Sequence, residues 1–251
     1  MSLLLFKLIV PPVLIVIASL AGRRWGDAVG GWFVGLPLTS GPVAIFLAIQ
    51  HGADFAAVAS NGSLIGTAGQ AWFGLAYALV AQLGWGVALF AGSVAYAIWA
   101  LLMTFAPFSH LGYFAIALAT LTVVARFIPH RSVERSSLPP PWWDLPARMI
   151  IVIVQVLSLT ASAQFTGAKL TGALASFPVF GAILTVFAHR LQGDEMARQV
   201  LRGLVLALYG FATFFFITGL ALPKLGIVLA FSLAIAATLV VQGVALKFIR
   251  A

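Results

Sequence analysis

The chain has 251 residues, 62% of them hydrophobic and only 8% charged, and it carries a net charge of +8 with no cysteine. A soluble domain is about 25% charged and keeps a polar face on its helices; this composition excludes one, and a mean hydropathy of +1.10 points to helices dissolved in lipid. The absence of cysteine excludes disulfides, thiolate metal sites and a cysteine nucleophile, and the basic excess reads as the cytoplasmic loops of a membrane protein rather than a nucleic-acid surface.

Apolar runs between turn residues predict an all-α polytopic membrane protein of about nine helices, at 3–21, 31–50, 55–81, 84–106, 111–129, 147–165, 171–190, 196–221 and 226–247. The first run combines Lys7, an apolar stretch and "ASLAG", which are the ingredients of a cleavable leader. Its Pro11-Pro12 pair and the internal match described below predict a retained span instead. The second contains "GLPLTSGPVAIF", residues 35–46, where two prolines interrupt an otherwise apolar helix. Prolines 37 and 42 leave carbonyls without helical N–H donors, and lipid supplies none. Between the fifth and sixth spans lies the one long polar connector, "PHRSVERSSLPPPWWDLPAR", whose three consecutive prolines cannot continue a helix. Trp25, Trp32, Trp85, Trp142 and Trp143 fall near span ends and read as interfacial anchors.

With the N-terminus outside, the cytoplasmic side collects Arg23, Arg24, Arg126, Arg131, Arg135, Arg148, Arg190, Arg198, Arg202, Lys247 and Arg250, whereas Lys7, Lys169 and Lys224 stay outside. The opposite orientation inverts that bias, so the positive-inside rule selects N-out, C-in.

An ungapped shift of 141 residues aligns the sequence with itself. Pro37 meets Pro178, Phe46 meets Phe187, Gly52 meets Gly193, Gly62 meets Gly203, Gly69 meets Gly210 and Phe73 meets Phe214; Asp54 meets Glu195. The proline and glycine identities carry most weight, because each constrains the backbone. Two four-helix units follow, residues 1–106 and 147–251, joined by a linker helix and connector at 107–146. An odd number of spans separates corresponding helices, so the second unit is inverted. Charge agrees: "GRRWGD" is basic and its counterpart "TGAKLT" has one lysine, whereas "QHGADF" has no Lys or Arg and "AHRLQGDEMAR" has two arginines. Inverted repeats of this kind are a common plan of secondary transporters, with a site near the midplane at the repeat interface.

The segment "LTGALASFPVFGAILTVFAHRLQGDEMARQVLRGLVLALYGFATFFFITG", residues 170–219, resembles the GlpM family of small bacterial inner-membrane proteins, as does "FAGSVAYAIWA", residues 90–100. The resemblance implies two fused units of that family with an added linker helix in the bacterial inner membrane. It supplies no catalytic or binding residues. The doubled, inverted four-helix unit also resembles the architecture of small drug and metabolite transporters.

Gly/Pro interruptions at matching places in two halves are the best sequence pointer to a transport site. Pro37, Thr39, Ser40, Pro178 and Gly181 are therefore candidates for binding solute, with Asn61 and Gln70 on the third span and Gln155 and Thr160 on the sixth. A packing kink and polar glue between helices explain the same residues without a ligand. Glu195, Arg198 and Arg202 form a cytoplasmic ion-pair row at i, i+3 and i+7, while Asp54 and Glu195 suit the positive ends of their helices. His51 and His189 lack any recognised metal spacing. No nucleophile motif, phosphate loop or paired carboxylate occurs, so neither enzyme, cofactor nor metal is expected. With no Asp, Glu or His at a span centre, proton coupling is disfavoured, and the expected partners are lipid and a small neutral or weakly polar solute. The competing reading is a non-transporting accessory protein, for example in envelope polysaccharide production.

Overall fold

A computed structural model describes residues 3–25, 36–128 and 143–250, which are helical with no strand. The helices are α1 (Leu3–Trp25), α2 (Ser40–His51), α3 (Ala53–Val80), α4 (Trp85–Thr104), α5 (His110–Phe127), α6 (Asp144–Thr166), α7 (Ala168–Ala175), α8 (Val179–Gln192) and α9 (Asp194–Arg250). Residues 31–35 of the second expected span, most of the connector with Arg131 and Arg135, and Trp32 and Trp142 lie outside the described residues, as do the side chains of Arg23, Trp25, Lys247 and Arg250.

Among the described residues, six helical stretches are long and apolar enough to cross a hydrocarbon core. The expected run at 171–190 is not one helix: the chain leaves helical geometry at Ser176–Pro178 and splits it into α7 and α8. The two last expected spans are two helical arms of α9 that meet at Gly226 (φ 73°), where the backbone is not helical. The bend is a reversal. Thr238 Oγ1 donates to the Gly210 carbonyl at 3.3 Å and Gln242 Nε2 to the Ala207 carbonyl at 2.7 Å, pairings that require antiparallel arms. The α3–α4 hairpin is built alike: Trp99 Nε1 donates to the Ile65 carbonyl at 3.0 Å across the turn at Gly84 (φ 98°). Gly52 (φ 90°) and Gly193 (φ 92°), a pair in the 141-residue register, both hold left-handed backbone between successive helices, a conformation that costs glycine nothing because it has no Cβ.

Side-chain contacts sort the turns into two ends. At the Gly52 end, Lys169 Nζ donates to the Ala106 carbonyl at 3.2 Å, and His110 joins Asn61 Oδ1 (2.6 Å) to the Phe216 carbonyl (2.9 Å). At the Gly84 end, Tyr77 OH meets His189 Nδ1 at 3.0 Å, Arg198 Nε donates to the Ala78 carbonyl at 3.1 Å, and Arg190 stacks on Trp85. Successive long helices therefore run in alternating directions.

The centre is α3, which packs on α2, α4, α5, α7 and α9. Its small and polar stretch "SNGSLIGTAGQ" explains this, since small residues let backbones approach where lipid offers no hydrophobic drive. At Gly62 and Gly172 the approach is backbone to backbone: a Cβ at Gly62 would collide with the Lys169 carbonyl, and one at Gly172 with the Ala59 carbonyl. The periphery is the inverse. α1, α4, α6 and the second arm of α9 expose Ile9, Phe90, Ile98, Val154, Val228 and Val240, the apolar surface that lipid solvates.

Candidate functional site

The two interruptions meet. Residues 36–39 run into α2, residues 176–178 run into α8, and together with α3 and the first arm of α9 they line a cavity of about 40 Å3. Its walls obey the 141-residue register. Leu36, Leu38, Thr39 and Ser40 line it from one interruption, and their counterparts Phe177, Val179, Phe180 and Gly181 line it from the other. Gln70 and its counterpart Phe211 also face it, as do Ile15 and Pro178. Ile15, Gln70 and Phe211 lie well away from both ends of their helices or arms, so the cavity sits at mid-depth.

The interruption at 176–178 is firmly seated. Phe177 packs edge-on against Tyr96 (5.1 Å between centroids) and Phe73 (6.2 Å), and Ser176 Oγ back-bonds to the Gly172 carbonyl at 3.0 Å. Tyr96 OH donates to the Ala173 carbonyl at 2.5 Å, just before the chain leaves α7. Tyr96→Phe removes this bond and leaves the carbonyl with the Ser176 N–H alone, and is expected to lower stability by about 0.5–1.5 kcal/mol; reversible unfolding in mixed micelles measures it.

Two polar side chains on the wall have no protein partner. Gln70 is only 5% exposed and Ser40 only 3%, yet among the described residues neither side chain makes a hydrogen bond. The first turns of α2 and α8 add backbone donors: Gly41 N–H reaches the Pro37 carbonyl and Ala182 N–H the Pro178 carbonyl, but the amides of Ser40, Phe180 and Gly181 find no carbonyl.

Of the residues singled out in the sequence, Thr39, Ser40, Gln70, Pro178 and Gly181 thus line one space, with Pro37 in the same interruption. Gln155 does not line it; its Nε2 donates to the Ala175 carbonyl at 3.3 Å, behind the wall. Asn61 lies at the Gly52 end with His110, and Thr160 lies there with Lys7. The ion-pair row holds only in part. Arg198 pairs with Glu195 (3.0 Å) and with Asp194 (2.9 Å), which the sequence reading left out, whereas no ion pair of Arg202 is seen among the described residues.

Sequence reasoning also missed two buried cations. Lys7, 7% exposed, donates from Nζ to Thr160 Oγ1 at 2.8 Å and Gln50 Oε1 at 2.9 Å, tying α1 to α6 and α2 at the Gly52 end. Arg148, 6% exposed, lies over the Phe180 ring at 4.8 Å. The two are 141 residues apart, a signal available in the sequence. The counterpart of Thr160 is Ser19, whose buried hydroxyl has no partner. The Lys7–Thr160 bond is therefore made at one end and its counterpart, Arg148 to Ser19, is not made at the other.

No protein-family model, curated protein or solved structure matches this chain.

Proposed function

We propose that this protein is a small-solute carrier of the bacterial cytoplasmic membrane, working by alternating access between two inverted four-helix repeats, residues 1–106 and 147–251, with α5 as the linker helix. The observation that carries the reading is the cavity at mid-depth, walled by counterpart residues of the two interruptions. Broken backbone at membrane depth persists only where protein, water or a ligand satisfies it. In this reading the chain crosses nine times: the two arms of α9 count as two crossings, and α7–α8 as one. The Gly84 end, with Arg126, Arg190, Arg198 and Arg202 near it, is cytoplasmic.

The unequal ends support alternation. Inverted repeats exchange conformations when a carrier turns over, so a bond made in one half is broken in its counterpart. Lys7 bonds Thr160, whereas among the described residues the hydroxyl of Ser19, the counterpart of Thr160, has no partner. The structure then corresponds to a state latched at the Gly52 end.

The chain has no native cysteine, so single replacements report without background. Ser40→Cys and Gly181→Cys are expected to react with a small membrane-impermeant maleimide from both faces of oriented vesicles. Labels on the 130–146 connector and the 105–109 loop should fall on opposite faces. An accessory protein with a sealed seam would leave Ser40→Cys unreactive from both faces, and connector and loop on one face would end the nine-crossing topology.

A further inference from the structure

We propose that the group received by this cavity is a carboxylate, so that the solute is a small monocarboxylate; the inference rests on the carrier reading and replaces the neutral solute expected from the sequence with a monoanion. Two helix N-termini converge on the cavity, those of α2 (12 residues) and α8 (14 residues), each presenting the positive end of its dipole. The amides of Ser40, Phe180 and Gly181 lack acceptors there, and at this depth bulk water does not supply them.

The second observation is independent of the helix ends. Gln70 and Ser40 are more than nine-tenths buried, line the cavity and have no partner among the described residues, so the wall offers a carboxamide N–H2 and a hydroxyl beside the three amides. Donors outnumber acceptors in this set, which suits an acceptor-only group. Among the described residues, no Asp or Glu lines the space to repel an anion, and no Lys or Arg lines it to neutralise a second charge. That disfavours a phosphate or sulfate dianion. The volume of about 40 Å3 fits a group of carboxylate size.

The test titrates the purified full chain in lipid nanodiscs with sodium acetate, acetamide and sodium chloride, following heat and tryptophan fluorescence. Acetate should saturate, while acetamide and chloride should fail at ten times its concentration. Gln70→Leu should weaken acetate about tenfold or more, as expected for a hydrogen bond to a charged group. Gln70→Glu, of nearly the same shape, should abolish binding; Ser40→Ala is a milder second variant, and gel filtration with circular dichroism checks the fold of each. Acetamide binding as well as acetate, with Gln70→Glu harmless, would overturn the carboxylate and leave a carrier of neutral solutes. Equal binding of chloride would make it an inorganic-anion site and also overturn the proposal. Absence of acetate binding overturns it too; if Ser40→Cys still reacts from both faces, the carrier reading survives that failure, and if it reacts from neither, both fall.

Discussion

Gly172→Val is expected to leave almost no folded protein in the membrane. The α-carbons of Gly62 and Gly172 lie at the crossing of α3 and α7, where a side chain on either would run into the main chain of the other helix. A clash with a flexible side chain can relax, but here the obstacles are the carbonyls of Ala59 and Lys169, held within helices. Overpacking a core by a few methylenes costs about 1–3 kcal/mol when neighbours can shift, and separating two helices also breaks what they hold in common. Three bonds depend on the spacing: Tyr96 to Ala173, Ser63 to Gly172 and Lys169 to Ala106. A loss beyond about 3 kcal/mol follows, a large part of the 5–15 kcal/mol by which a typical domain is stable. Gly62→Val should fail equally, whereas Gly86→Ala, with open space around its α-carbon, should be neutral. Fluorescence-detected gel filtration of the three variants reads the result. A monodisperse Gly172→Val would mean that the crossing of α3 and α7 is not tight.

Lys7→Met should unlatch the Gly52 end. The ammonium is buried among α1, α2 and α6, donates to Gln50 and Thr160, and lies 5.9 Å from the centre of the Phe46 ring. Hydrogen bonds from a charged donor contribute about 1.5–3 kcal/mol each, and methionine keeps the apolar stem while removing both. If the bonds exist only in the latched state, their loss shifts the equilibrium toward the opposite state by about two orders of magnitude. The measurement is the rate at which Ser40→Cys reacts from each face: it should rise steeply from the Gly52 face and fall from the Gly84 face. Thr160→Val removes one acceptor and should move both rates the same way by less. A purely structural Lys7 would lower thermal stability in Lys7→Met and leave the ratio of the two rates unchanged.

Much of the helical layout was legible in the sequence because lipid solubility is a local property. The spans that became α3, α4, α5 and α6 match the expected boundaries within three residues, since a run of apolar residues between Gly and Pro has few alternatives at membrane depth. The interruptions were legible for the same reason: Pro37 and Pro178 fall outside regular helix, while Pro42 is accommodated in the first turn of α2. Where the expected spans differed, the local signal was ambiguous. Pro178 ends the 171–190 run as a regular helix.

The polar residues followed another rule. Asn61 and Gln70 sit on the same helix nine positions apart, yet one meets His110 near the Gly52 end and the other faces the mid-depth cavity. Their spacing specifies relative height and azimuth along α3, but not which neighbour occupies each azimuth. Thr160 and Gln155 had equal claims by composition. Packing gave the first to Lys7 and turned the second toward the Ala175 carbonyl. Lys7 itself read as one of a few outer-side basic residues, because its burial depends on α2 and α6 closing over it.

Composition and the pattern of apolar runs by themselves determined that this chain is a helical membrane protein, where its helices lie and where two of them must break, since each follows from the transfer of single segments out of water. Tertiary structure alone decided that the two breaks face one another across a cavity, that Gln70 and Ser40 are left there without partners among the described residues, and that Lys7 ties α1 to α2 and α6. Those are relations between segments more than a hundred residues apart, set by the close approach of α3 to its neighbours, and no property of an isolated helix contains them.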